Sequence, residues 1–199
     1  MPTPALVLVS ASPRRAHLLR LAGLDFTVRP SEIEEARLPG EPPGVMAERL
    51  AVLKARALPH SGPPALAIAA DTIVTIDDMV LGKPLDPGDA RRMLGLLAGR
   101  THEVITALAL RTLPEDTIMS ERSRSRVTFA PMSGDEIDWY VRTREGMDKA
   151  GAYALQGIGA LFVQSIEGSY TNVIGLPLER LYPHLRRFGL LPSSPVSGA

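Results

Sequence analysis

The sequence of 199 residues contains no cysteine. That absence removes disulfides, thiolate metal sites and cysteine nucleophiles together, and it suits a reducing compartment. An excess of one charge is missing as well, since 22 lysines and arginines face 22 aspartates and glutamates. No global field draws such a chain to nucleic acid or to a membrane surface, so any anion binding must be local. No apolar stretch approaches the roughly 18 residues a membrane-spanning helix needs. The first residues lack the basic and apolar regions of a secretory signal. The two commonest nucleotide fingerprints, GxxxxGK[ST] and GxGxxG, are absent, and no serine sits in a nucleophile elbow.

What remains is an ordinary globular composition, 45% hydrophobic and 22% charged. A chain of this length buries roughly 70% of the surface it exposes when unfolded. One domain over residues 1–191 is expected, followed by a small, polar, disordered tail, PSSPVSGA, at 192–199. Short β-branched runs alternate with amphipathic stretches, and turn signals such as Asp77-Asp78 insert hairpins between them. The pattern predicts an α/β fold with a mixed sheet flanked by helices. Met46, Leu50, Leu53 and Ala57 recur at helical spacing, and Ser133 to Glu136 is a capping box.

Two features break local rules. Arg14 and Arg15 follow Ser12-Pro13, a helix-start signal, and so stand in a first turn where positive charge opposes the helix dipole. Either they are solvated, or an anion such as phosphate arrives to be held by them and by the free N–H groups. Asp71 interrupts the apolar run ALAIAADTIVTI. Read as the carboxyl end of a strand, it either caps a turn or projects into the crevice where open α/β sheets bind ligands. Lys83 is confined between Gly82 and Pro84. Glu32, Glu34 and Glu35 form an acidic loop that is either simply solvated or able to offer hard oxygen ligands to Mg²⁺. Asp148, Lys149 and Gln156 lie in a glycine-rich stretch; a glutamine amide both donates to and accepts from a nucleobase edge. Arg122, Arg124 and Arg126 alternate and read as a solvated strand face, and His102 reads as structural.

Taken in order, SASPRR (10–15), LAVLKARA (50–57), AADTIV (69–74), LGKP (81–84), GRTHEV (99–104), DKAGAYALQG (148–157) and GSYTNVIGLPL (168–178) resemble the Maf family of nucleoside triphosphate pyrophosphatases. The resemblance implies an elongated mixed sheet like that of inosine triphosphatases. It also implies hydrolysis between the α and β phosphates of a nucleoside triphosphate, with a divalent cation (Mg²⁺, Mn²⁺ or Co²⁺), in a cytoplasmic homodimer without nucleic-acid or membrane partners. By the same resemblance Asp71 is the general base, with Lys83, Arg15 and Lys54 also catalytic. Asp71 and Glu35 would hold the metal, while Ser10, Ser12, Arg14, Thr72, Gln156 and Lys149 would bind substrate or select the base. SASPRR, ADTIV and AYALQG are similar to the branch acting on dTTP and UTP rather than the one preferring 7-methyl-GTP. Met147 departs from the family pattern, which commonly has proline there. A non-catalytic nucleotide-binding regulator of cell division and a plain phosphatase are the competing readings.

Overall fold

The computed structural model describes residues 3–59 and 62–191; the tail at 192–199 lies outside them. Strand β1 (Ala5–Leu8) leads through the cap Ser12 into helix α1 (Pro13–Leu21), and β2 is the two-residue strand Thr27–Val28. Helix α2 (Pro43–Arg56) is followed by β3 (Ala65–Ile76) and β4 (Met79–Leu81). Helix α3 (Pro87–Leu97) precedes a long hairpin of β5 (Thr101–Leu113) and β6 (Thr117–Phe129). Helix α4 (Gly134–Arg142), two 3₁₀ turns, β7 (Val163–Glu167), and helices α5 (Tyr170–Ile174) and α6 (Leu178–Arg187) complete the chain. The seven strands form one mixed sheet in the order β2-β1-β3-β5-β6-β7, with β4 also on β3.

Strand β3 reads as a continuous apolar run because both of its faces are covered. Leu66, Ile68 and Ala70 pack beneath α1 and α6, while Ala65, Ala67, Ala69 and Ile73 pack beneath α2. A third cluster, around Val74, Met93, Leu97 and Phe129, fills the far end under α3 and α4. The turn between β3 and β4 has positive φ at Asp77 (47°) and Asp78 (62°), the twist a tight hairpin requires.

Two expectations need correction. Asp71 does not end a strand: it is the seventh of twelve residues in β3 and pairs across to Ala107. Only the parallel part of the sheet ends nearby, because β1 stops at Leu8 opposite Ile68 while β3 runs on. Leu53 in α2 and Ala57, the residue that caps its end, face solvent; the buried stripe is Met46, Ala47, Leu50, Ala51, Lys54 and Ala55. That stripe keeps the 3.6-residue period and accepts a lysine because a carboxylate meets it. Arg122, Arg124 and Arg126 do share an exposed face, each beside a glutamate.

His102 is structural, with 2% of its surface exposed. Its ring stands edge-on to Phe129 and Tyr153, and its Nε2 lies 2.9 Å from the Tyr153 hydroxyl. Burial pulls its pKa from 6.5 down to about 4. The unfolded chain therefore takes up this proton first as pH falls, and the folded state loses roughly 3 kcal/mol between about pH 6.5 and pH 4. Denaturant unfolding at pH 7.0 and 4.5 should show most of that loss in the native chain. In His102→Phe the difference between the two pH values should shrink by about 2–3 kcal/mol, and an unchanged difference would remove His102 from the account.

Candidate active site

Strand β3 has β5 along the whole of one edge, but its other edge is shared. There β1 pairs up to Ile68 and β4 begins at Val74, so residues 69–73 have no strand beside them on that side. A cavity of about 510 Å³ opens at this gap, and every residue that the family resemblance assigns to catalysis, substrate or metal lines it. Alternation along β3 then sorts the two polar side chains. Asp71 shares the α2 face with Lys54, and Thr72 points to the α1 face with Arg15.

On the α2 face, Lys54 Nζ donates to Asp71 Oδ1 at 2.6 Å and lies 2.7 Å from Glu35 Oε1. Asp71 is 6% exposed and Lys54 8%, so each neutralises a charge that would otherwise be costly to bury. Partial burial raises the Glu35 carboxyl, but the bond and charge of Lys54, with Lys83 and Arg15 beyond, outweigh it and leave Glu35 below the usual carboxylate value. The other two acids of that loop, Glu32 and Glu34, do not line the cavity.

On the α1 face the arginine doublet divides. Arg15 turns inward: its Nε donates to the Gly175 carbonyl at 2.7 Å, Nη1 to Ser10 Oγ at 3.1 Å and Nη2 to Thr72 Oγ1 at 3.1 Å. Burial lowers its pKa, with Asp71 pulling the other way, and a guanidinium remains cationic regardless. Two of its five N–H groups are left for a ligand. Gly175 can present that carbonyl because its φ is +118°, at the end of α5. Arg14 stays at the rim, 3.7 Å from Asp148, which also pairs with Lys149. Ser12 caps α1, accepting from Arg15 N. Lys83, exposed just past β4, has no ion-pair partner among the described residues.

Residues the sequence did not single out hold this floor together. Thr106 Oγ1 donates to the Asn172 carbonyl at 2.9 Å, which fixes the direction of its 3.0 Å contact with Thr72. Thr72 must donate there and accept from Arg15, so toward the cavity its hydroxyl can only accept. Asn172, fully buried, receives Thr106 N–H and donates to the Val104 carbonyl and Ser125 Oγ. Nothing short of the fold identifies this asparagine, because its partners come from two other strands. Gln156 also lines the cavity, from an exposed segment, with no protein hydrogen bond to its amide among the described residues.

The cavity thus gathers three carboxylates (Glu35, Asp71 and Asp148), five cations (Arg14, Arg15, Lys54, Lys83 and Lys149) and a helix amino terminus around one opening, an arrangement suited to a polyanion and a reacting water. Comparison with known proteins agrees. The family described as Maf-like protein matches residues 5–188. A protein of Symbiobacterium thermophilum named dTTP/UTP pyrophosphatase is 47% identical over 92% of this chain and 94% of its own length. Proteins of the same name from Moorella thermoacetica and Syntrophus aciditrophicus are 48% and 46% identical, over 93% and 98% of this chain and 95% of their own lengths. With a match running nearly end to end, over every strand and around the whole cavity, the chain belongs to the Maf family.

Proposed function

We propose that this protein hydrolyses dTTP and UTP to the nucleoside monophosphate and pyrophosphate. The observation that carries the reading is Asp71, a buried carboxylate anchored by Lys54 through one oxygen only, in the cavity that also holds Arg14, Arg15, Lys83 and Lys149. Relatives sharing nearly half their residues with it carry the name of that activity. The cations take the triphosphate, offsetting the charge that would repel a nucleophile. Asp71, oriented by Lys54, accepts a proton from a water whose oxygen bonds to the α-phosphorus. The bond from that phosphorus to the bridging oxygen breaks, and pyrophosphate leaves with the electron pair. No covalent intermediate is needed.

Asp71 and Glu35 suit a divalent cation, because each has an oxygen not engaged by Lys54 and carboxylates are hard ligands. Among the described residues no group of three or more acids, histidines or cysteines forms a closed cage. Mg²⁺ and its kin need only one or two carboxylates when phosphate oxygens complete the shell. When bound, such an ion neutralises phosphate charge and acidifies water. A homodimer and a cytoplasmic location belong to the same reading, tested by sedimentation equilibrium and by fractionation. No helix among the described residues is long and apolar enough to cross a membrane.

For the base, Thr72 offers only an acceptor and Gln156 offers both donor and acceptor. Uracil and thymine present an N3–H to the former, whereas N3 of cytosine cannot donate. A site so built rejects the mismatched base by about 10²-fold or more. The deciding assay offers dTTP, UTP, CTP, GTP and 7-methyl-GTP with Mg²⁺, Mn²⁺ or Co²⁺ and identifies the phosphorus product. Expected are pyrophosphate, dTTP and UTP first, and loss of turnover on chelation that added metal reverses. Orthophosphate as product, a preference for 7-methyl-GTP, or tight binding without turnover would each replace this reading with a phosphatase, the other branch or a regulator.

A further inference from the structure

Gln156 faces the cavity from a segment with glycines at 157 and 159, which on its own would hold no fixed shape. Two side chains outside the cavity lining fasten it. Glu145 Oε1 accepts from the Ile158 N–H at 2.8 Å, and Oε2 accepts from the Gly159 N–H at 2.9 Å and from the Tyr140 hydroxyl at 2.7 Å. That same Tyr140 oxygen accepts from the Ala154 N–H at 3.1 Å. The carboxylate and the phenol form one unit gripping the segment at 154 and again at 158–159. Gly157 passes directly over the carboxylate, where a Cβ would collide with Oε1. The backbone carbonyl of Glu145 also receives Lys149 Nζ at 2.6 Å.

We infer that Glu145 is a positioning residue for base selection, fastening with Tyr140 both ends of segment 154–159 so that the Gln156 amide stands at one place on the cavity wall. The inference rests on the pyrimidine reading of the cavity. Glu145 touches no substrate; it acts through Gln156. A carboxylate is required because it is acceptor-only and takes all three donors at once, whereas a glutamine would turn an amide N–H toward at least one of them. Partial burial raises the Glu145 carboxyl, but the Tyr140, Gly159 and Ile158 donors with Lys149 outweigh it, so the group is ionised wherever the protein is folded near neutrality.

Glu145→Gln should raise KM for dTTP and UTP about tenfold, the factor of one misplaced hydrogen bond, with kcat held within about twofold. The preference for dTTP over CTP should fall by a similar factor, and amide exchange at Ile158 and Gly159 should accelerate. Tyr140→Phe should move KM and selectivity in the same direction by less. Gly157→Ala keeps every donor but displaces the carboxylate, so it must reproduce the loss of selectivity if Glu145→Gln fails to fold. Faster exchange with an unchanged dTTP-to-CTP ratio, or an equal fall in kcat for all bases, would overturn the inference alone. A native chain that neither binds nor splits pyrimidine triphosphates preferentially would instead overturn the reading of the cavity, and this inference with it.

Discussion

Asp71→Asn should release pyrophosphate from dTTP about 10²- to 10⁴-fold more slowly than the native chain, the range lost with a general base. The substitution is nearly isosteric, and Asn Oδ1 can still accept from Lys54 Nζ, which stands 2.6 Å away. What disappears is the charge and the second oxygen, and with them the means to take a proton. Nucleotide affinity should change far less, because Arg14, Arg15, Lys83 and Lys149 are untouched and one repelling charge is gone. Calorimetric titration with dTTP beside a pyrophosphate-release assay separates the two effects. A variant retaining a tenth or more of native kcat would remove Asp71 from the chemistry, whereas lost binding with normal turnover at saturation would make it a binding group.

The second large effect concerns stability. Asn172→Ala should cost about 3–5 kcal/mol, because the Thr106 N–H and the Val104 carbonyl lose buried partners worth about 1–3 kcal/mol each and a cavity is left behind. For a chain of this size that lowers Tm by roughly 10 °C. Catalysis well below the new Tm should survive, because Thr106 Oγ1 bonds to the main-chain carbonyl of residue 172, which alanine retains. Thr72 therefore keeps its orientation. Thermal unfolding with steady-state kinetics at 20 °C checks both halves. A shift of less than about 3 °C would mean that the network relaxes around the loss.

The local devices of this fold are legible without its structure. Ser12-Pro13 starts α1, Asp77-Asp78 turns the first hairpin and Ser133 boxes the start of α4 with Glu136, each within four residues of chain. Asp71 was legible as an anomaly, since an acid within ALAIAADTIVTI asks for a partner. Its position was not: the apolar run looks the same whether a strand ends at the acid or passes it. The stripe of α2 differs from the expected one for a related reason: apolar spacing gives no sign that a charged residue such as Lys54 occupies the buried face. The short helix α5 and the start of β6 at Thr117 leave little local signal, because their stability comes from neighbours rather than from periodicity.

By itself, then, the sequence determined the alternation of strands and helices, the mixed sheet, the family and the set of side chains with chemistry to offer, because caps, turns, periodicity and short motifs are written within a few residues of one another. Tertiary structure alone decided which oxygen of Asp71 is free, that Arg15 faces inward while Arg14 guards the rim, that Thr72 can only accept, and that Glu145 grips the Gln156 segment. These are outcomes of pairing across long separations, 160 residues between Arg15 and Gly175, where burial obliges each polar group to find protein partners and the direction of each bond follows from the next.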